Sequence, residues 1–176
     1  MSPYRPKLMV FKSPDSKLEL HSKIHEKSVL VIKKFIANKK IKWADNMNVD
    51  YVFSDPTSAR IFTVGGLGDS GSDLGVVVFY DYEGNKKTIQ IQDVLPNLEE
   101  LSRAYRDMSN FPWISALDIT EKELLIWICD KVLVKITFND LKSEIVNFKT
   151  EPTWIAESKN QVVSTQAKRF QWQLKK

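Results

Sequence analysis

Cysteine is almost absent from this chain of 176 residues, and its scarcity limits how the protein can be stabilised. Cys129 is the only one, so no disulfide can form within the chain. It follows an apolar run, residues 124–128, and that context predicts a small buried hydrophobic side chain. Because a protein without disulfides suits a reducing compartment, we expect the chain to be cytoplasmic.

Long apolar runs are missing as well. No stretch of the sequence approaches the ~20 consecutive apolar residues that a membrane-spanning helix needs. Near the start the only apolar run is residues 8–11, which is too short for the core of a secretory signal. These absences predict a protein with neither a membrane segment nor a signal peptide.

The remaining composition is that of an ordinary globular protein, with 43% hydrophobic, 11% aromatic and 27% charged residues. A chain of this size predicts a single domain over residues 1–176. Within it, residues 1–12 are expected to form an extended arm or a short strand. Residues 150–176 are expected to form a C-terminal extension that ends in a strand.

Charge is divided unevenly along the chain. Residues 1–42 carry a net charge of +8, residues 43–130 a net charge of −9 and residues 131–176 a net charge of +5. The basic ends could contact nucleic acid, whereas the acidic middle would repel phosphate. Segregated charge also suits a charged protein partner, and two solvated faces without any partner are a third explanation.

Helical signals dominate the first part of the chain. Ser13, Pro14 and Asp15 are favourable at a helix start, and apolar residues recur at helical spacing from there to about Asn38. The predicted helix has a basic face that includes Lys17, Lys23, Lys27, Lys33 and Lys34. As an alternative, Leu18 and Leu20 would belong to a short strand and the helix would begin at Ser22.

A short strand is predicted over residues 49–53, and from residue 60 onward apolar and polar residues alternate with period two. Strands are predicted there over residues 60–64, 75–82, 87–94, 114–120, 123–130, 131–138 and 168–174. Helices are predicted over residues 97–109 and, as a short segment, 140–148. The order lacks regular strand–helix alternation. It therefore predicts an α+β domain: an N-terminal helix and a largely antiparallel or mixed sheet, with a second helix packed on it.

Five of the six glycines fall within residues 65–75, GGLGDSGSDLG. The spacing Gly66-x-Gly68-x-x-Gly71 matches a dinucleotide-binding fingerprint, which requires a helix after the glycines. Here a β-branched run follows at residues 76–78, and Asp69 and Asp73 would repel phosphate. We therefore expect no nucleotide and no other cofactor, and we interpret the segment as a polar connection between two strands.

Two further motifs, one catalytic and one metal-binding, lack the additional residues that their chemistry requires. The letters Gly68-Asp69-Ser70-Gly71 occur around the nucleophile of trypsin-like serine proteases, but no suitable base follows from the sequence. His21 and His25, the only histidines, would lie one helical turn apart and could share a metal ion. No third ligand is identifiable, so no metal site and no catalytic residue is predicted.

Residues 72–78, Ser-Asp-Leu-Gly-Val-Val-Val, resemble part of the core of restriction-endonuclease-like nucleases, whose order of elements is α-β-β-β-α-β. The resemblance implies that Asp73 would be a metal ligand. It also implies an acid-x-Lys pair on the third strand, where this chain has Gln90-Ile91-Gln92 instead. A neutral amide supplies neither the carboxylate nor the ammonium group, so the resemblance implies a nuclease-like fold with a degenerate site.

Together these patterns favour a non-catalytic, cytoplasmic protein-binding module, such as an immunity protein, an antitoxin-like inhibitor or an adaptor. Its predicted contact residues for a charged, basic protein partner are Asp69, Asp73, Asp81 and Glu83. The alternative is a nucleic-acid-associated protein with a restriction-endonuclease-like core, degenerate or active, that binds through Lys23, Lys27, Lys33 and Lys34. Association of the chain with itself is a further alternative.

Overall fold

The structure is a computed structural model, and it describes residues 8–23, 29–34, 37–42, 49–65, 75–83, 85–104, 113–158 and 161–175. Its strands are β1 Leu8–Lys12, β2 Leu18–Lys23, β3 Val29–Lys34, β4 Ala37–Lys42, β5 Val49–Ser54, β6 Arg60–Gly65, β7 Val76–Asp81, β8 Lys86–Gln90, β9 Ile114–Ile119, β10 Glu123–Ile128, β11 Val132–Thr137, β12 Ser143–Val146 and β13 Gln173–Leu174. The helices are α1 Leu98–Ala104, α2 Thr153–Glu157 and α3 Thr165–Lys168, and a 3-10 turn covers Ile91–Asp93.

The strands form three antiparallel sheets, which we call A, B and C. Sheet A has the order β13-β1-β2-β3-β4, sheet B the order β5-β6-β7-β8 and sheet C the order β12-β11-β10-β9. Apart from the C-terminal strand β13, each sheet is a meander in which consecutive strands are neighbours. Consecutive strands that are neighbours in a sheet can pair antiparallel through a hairpin, without a crossover connection.

Sheet B is the central layer because both of its faces are apolar. Along β6, Phe62 and Val64 belong to the core shared with sheet C, whereas Ile61 belongs to the core shared with sheet A. Successive side chains of a strand point to opposite faces, so a continuous apolar run serves two cores at once. The run of buried residues through β6 and β7 is the sequence signal of this central position.

Aromatic rings fill the core between sheets B and C. The ring of Phe62 lies 5.3 Å from that of Phe53, 5.0 Å from that of Phe79 and 5.6 Å from that of Phe138. Three of these rings come from successive strands of sheet B, and Phe138 follows the last residue of β11. Offset and tilted ring pairs add to the free energy gained by burying their area.

The C-terminal residues 161–175, which we call the strap, bind the edges of all three sheets. On sheet C, the backbone N–H of Leu117 donates to the carbonyl of Val162 at 2.8 Å. Beside this bridge, the buried hydroxyl of Ser164 donates to the carboxylate of Asp118. The strap therefore closes β9, the outermost strand on that side of sheet C.

Farther along the strap, the chain crosses to sheets B and A. The backbone N–H of Trp172 donates to the carbonyl of Val52 at 2.8 Å, and its indole N–H donates to the hydroxyl of Ser54 at 2.9 Å. Directly after Trp172, β13 pairs with β1. The side chain of Trp172 is buried with Phe11 and Leu20 between sheets A and B.

The predicted N-terminal helix is wrong. Residues 13–17 form the turn of a hairpin, in which the hydroxyl of Ser13 accepts from the backbone N–H of Leu18 at 3.0 Å and donates to Asp15. The same residue types that cap helices also close turns, because their short side chains reach nearby backbone groups. The alternative strand at Leu18 and Leu20 is confirmed as part of β2, but the helix from Ser22 is wrong.

This correction changes the fold class. The protein is β-rich, with three antiparallel sheets and only three short helices among the described residues, and it is not an α+β domain. The order α-β-β-β-α-β of the nuclease resemblance loses its first helix for the same reason. The alternation of Leu18 and Leu20 with Glu19 and His21 was the local signal for a strand. Packing against neighbouring strands stabilises that strand, although the same residues also fit helical spacing.

Other elements agree with the sequence in part. Most strands predicted between residues 49 and 138 are confirmed within a few residues at each end, and the second predicted helix is confirmed over Leu98–Ala104. Its remaining residues 105–109 lie outside the described residues. The helical segment 140–148 is wrong because β12 lies there. The predicted strand 168–174 is wrong except for β13, since α3 ends at Lys168 and a turn follows.

Tyr82 follows β7 and is packed, partly buried, against the core between sheets A and B. Burial raises the pKa of its phenol above the ordinary value, and the nearby carboxylate of Asp15 raises it further. A phenol whose pKa is raised by folding stabilises the protein below its unfolded pKa, near 10, and loses that contribution as the pH rises. We expect the urea midpoint to fall between pH 9 and 11, and to fall less in Tyr82→Phe, measured by intrinsic tryptophan fluorescence. An equal fall in both proteins would contradict this assignment.

Candidate functional site

Four hairpin turns gather at one end of the sandwich formed by sheets B and C, which we call the turn end. They connect β5 to β6, β7 to β8, β9 to β10 and β11 to β12. Arg60, the first residue of β6, joins the two sheets there, because its guanidinium donates to the carbonyl of Phe138 and lies over the ring of Phe79. The guanidinium also pairs with the buried carboxylate of Asp55. The charges of Arg60 and Asp55 therefore stabilise the fold by pairing with each other.

Of the four predicted partner-binding carboxylates, the structure describes only Asp81 and Glu83. Asp81 ends β7 at the turn end, and its carboxylate accepts from the backbone N–H groups of Glu83 and Asn85, each at 2.9 Å. Asp81 therefore holds its own turn, while the side chain of Glu83 is exposed. Asp69 and Asp73 lie outside the described residues. The flanks of their segment, Gly65 and Gly75, are at the opposite end of β7, roughly 17 Å from Asp81 at about 3.3 Å per residue.

The lysines of the predicted basic face that the structure describes lie at two ends of sheet A. Since Leu18 pairs with Ile32 and the strands are antiparallel, Lys33 and Lys34 end β3 beside the hairpin turn of β1 and β2. Lys23 ends β2 at the other end of the sheet, roughly 20 Å away at about 3.3 Å per residue. Lys27 lies outside the described residues. The lysines were grouped on the assumption of one helix, and the strands separate them.

The two sides of the sandwich differ in how their edge strands are covered. The strap binds both β9 and β5, so those edges lie on one side. The other side carries β8 and β12. Edge strands expose unpaired backbone groups, and lysines commonly protect them. On β8 the exposed residues are Lys86, Lys87 and Thr88, whereas β12 reads Ser-Glu-Ile-Val and contains no lysine.

Apolar side chains are exposed at β12 and just after it. Ile145 is 42% exposed and Phe148 is 37% exposed, and the third large exposed hydrophobic residue in the described part of the chain is Leu174 in the strap. Ile145 lies opposite Val134, a residue of the core between sheets B and C. The ring of Phe148 lies 5.7 Å from that of Trp127 on the outer face of sheet C. An apolar side chain is therefore exposed on each face at this edge.

The backbone of β12 has a defined free side. Thr137 donates its N–H to the carbonyl of Lys142 at 3.0 Å, which makes these two residues a hydrogen-bonded pair. Such pairs alternate along an antiparallel ladder, so Glu144 also bonds to β11. Ser143 and Ile145 consequently direct their N–H and C=O groups away from β11. No strand lies beyond β12 among the residues that the structure describes.

A row of charges crosses the outer face of sheet C and stops at this edge. The ammonium of Lys135 lies 2.5 Å from a carboxylate oxygen of Glu144 and 4.0 Å from one of Glu123. The hydrogen bond between Lys135 and Glu144 raises the pKa of the lysine and lowers that of Glu144. Two carboxylates thus share one ammonium, so these three side chains have a net charge of −1. Lys142 and Asp140, one charge of each sign, also lie close enough to Glu144 to affect its pKa.

Sequence reasoning missed this edge because residues 140–148 were interpreted as helix. Asn139 and Asp140 suggested a helix cap, whereas Asp140 accepts from the backbone N–H of Lys142 at 3.0 Å in a hairpin turn. The β-branched pair Ile145 and Val146 after a turn was the available strand signal. A segment of four residues is too short to distinguish the helical period of 3.6 residues from the strand period of two.

Within the described ranges, no three residues among histidine, cysteine, aspartate and glutamate are grouped closely enough to hold a metal ion. In the same part of the chain, no helix has both the length and the apolar character needed to cross a membrane. Comparison with protein-family models, with curated proteins and with solved structures found no match to the chain. The functional interpretation therefore depends on the geometry of the edge.

Proposed function

We propose that the protein is a non-catalytic protein-binding module whose contact surface is the free edge of sheet C. The observation that carries this proposal is the exposure of Ile145 and Phe148 beside an edge strand that lacks a protecting lysine. Exposed apolar side chains next to unpaired backbone groups favour association with another protein. The proposed class includes inhibitors, immunity proteins and adaptors, which act by binding another protein.

The predicted preference for a basic protein partner remains a proposal and gains local support. The charge row of Glu123, Lys135 and Glu144 is net negative where it reaches the edge. Glu83 is an exposed carboxylate at the turn end, on the β7–β8 connection and hence on the same side as β12. A rim charge affects the association rate more than the affinity. Glu83→Lys alone is expected to change the dissociation constant less than about threefold.

Affinity capture tests the proposal. The purified chain, immobilised through its N-terminus, is incubated with native lysate of the source cells after nuclease treatment. The variant Ile145→Glu/Phe148→Glu carries two charges in place of the exposed apolar side chains, and Leu174→Glu is the matched control because Leu174 is also exposed. We expect mass spectrometry to identify a protein retained by the wild type and by the control but lost with the double variant.

Two results would contradict the proposal. One is a retained protein that binds all three forms equally, which would place the contact elsewhere. The other is nucleic acid as the retained species when the nuclease is omitted, with no protein dependent on Ile145 and Phe148. The second result would favour the basic sheet A, whose strands β1 to β4 carry most of the lysines of residues 1–42.

A further inference from the structure

We infer that the partner binds by adding an extended strand to β12, and that this strand carries a basic residue opposite Glu144 with apolar residues beside it. The inference rests on the proposed function and specifies its chemistry. Backbone hydrogen bonds give such an added strand its affinity, and alternate side chains give it specificity. The chain already uses this mode internally, since the strap pairs with the edges of β5, β9 and β1.

The backbone geometry of β12 sets the register. Ser143 and Ile145 direct their free N–H and C=O groups outward, as argued above, so each can form a hydrogen-bonded pair with a residue of an added strand. In an antiparallel arrangement, three consecutive partner residues lie opposite Val146, Ile145 and Glu144, in that order. The strand is four residues long, and a partner needs no more than about six residues to cover it.

Side-chain chemistry at the edge specifies those three partner residues. Val146 lies on the outer face near Trp127, and Ile145 lies on the inner face, so apolar partner residues would bury area at both positions. Opposite Glu144, a lysine or arginine would extend the alternating row of acidic, basic and acidic side chains by one basic member. Opposite charges on neighbouring strands stabilise a sheet, whereas like charges destabilise it.

A second copy of this chain is a poorer occupant for the same edge. Pairing of β12 with itself about the centre of Glu144 would place two carboxylates directly opposite each other. Pairing about Ile145 avoids that contact, but a strand of four residues is only ~13 Å long. Two copies that met only there would bury much less than the ~1,200 Å² of a stable interface.

The test uses two synthetic peptides and the full chain labelled with ¹⁵N. One peptide is Thr-Val-Ile-Lys-Val-Thr, and the other has glutamate in place of lysine. We expect the lysine peptide to shift the amide resonances of residues 143–146 and to bind at least about fivefold more tightly than the glutamate peptide at low salt. Equal affinities, shifts that map to β8 or β4, or no shift with either peptide at millimolar concentration would overturn the inference.

Two variants separate the backbone contribution from the charge contribution. In Ser143→Pro the proline removes an outward N–H that no ladder bond uses, so we expect the fold to persist and peptide binding to fall at least tenfold. In Glu144→Lys we expect the preference to reverse toward the glutamate peptide. Unchanged binding in Ser143→Pro, or an unreversed preference in Glu144→Lys, would contradict strand addition in this register.

The same variants distinguish failure of this inference from failure of the proposed function. If a captured protein depends on Ile145 and Phe148 but binds Ser143→Pro and Glu144→Lys as tightly as the wild type, the protein-binding function stands and the strand-addition mode is wrong. If no captured protein depends on Ile145 and Phe148, the proposed function itself is wrong, whatever the peptides do.

Discussion

Replacement of Trp172 by alanine is expected to lower the free energy of unfolding by about 3–5 kcal/mol, the range for deleting a large buried aromatic side chain. The side chain is 1% exposed and lies between sheets A and B. Its indole N–H also donates to Ser54, so the substitution leaves both a cavity and a partly buried hydroxyl without its donor. Few single changes in the described part of the chain remove as much packing at a junction of two sheets.

The measurement is urea unfolding followed by far-ultraviolet circular dichroism, with Leu174→Ala as the control. Leu174 lies in the same strap but is 51% exposed, and its truncation is expected to change stability by less than about 1 kcal/mol. A loss in Trp172→Ala as small as that in the control would mean that the strap is held mainly by its backbone hydrogen bonds. A stable Trp172→Ala protein would contradict the role of the strap as the connection between the sheets.

Gly75→Ala is expected to destabilise the protein by about 2–4 kcal/mol for two separate reasons. Gly75 has a φ of +74°, a conformation that residues with a Cβ rarely adopt. A Cβ at this position would also lie 2.5 Å from Cδ2 of Leu98 and 3.1 Å from Cβ of Ile91. The carbonyl of Gly75 accepts from the N–H of Ile91, so the backbone there cannot move away without losing that bond.

A double-mutant cycle separates the two causes. Leu98→Ala removes the side-chain atom nearest to the added Cβ, and by itself it is expected to cost about 2–5 kcal/mol as a large-to-small change in the core. If steric overlap contributes, the double variant will be more stable than the sum of the single effects predicts, by roughly 1–2 kcal/mol. Strict additivity would leave only the backbone conformation as the cause.

The sequence was informative where strands are buried on both faces or follow one another in hairpins. The run Val76–Asp81, for example, was predicted as a strand because its β-branched and aromatic residues suit no other element as well, and β7 is the result. Gly75 was predicted as the first residue of this strand, but it precedes β7 and has a φ of +74°. Within β7 itself the local signal and the tertiary environment agree, which is the condition for a reliable prediction.

The prediction for the N-terminal region was wrong because its residues fit both a helical pattern and a strand pattern. Leu20 fits a helical stripe with Ile24 and Val31, and it equally fits a strand that alternates with Glu19 and His21. What decides between them is cross-strand packing, with Leu20 buried against Phe11 and Trp172. Trp172 is distant in sequence, so no local window contains the deciding contact.

The candidate site was harder to predict than the fold, for a different reason. Charge along the sequence led to Asp69, Asp73, Asp81 and Glu83, but charge density says nothing about which carboxylates are used internally. Asp81 binds the backbone of its own turn, and its strand separates it from the flanks of the segment that contains Asp69 and Asp73. The free edge of β12 depends on which strands are neighbours, and a single sequence does not contain that information directly.

Hydrogen exchange at the amide of Ile145, measured by NMR in the free chain and in its complex with the captured protein, is the most direct test of strand addition to β12. In the free chain this amide should exchange rapidly, whereas the amide of Glu144, which bonds to β11, should exchange slowly. On binding, the account predicts that exchange at Ile145 slows at least tenfold while that at Glu144 changes little. Fast exchange at Ile145 in the complex, together with new protection at another surface, would contradict it.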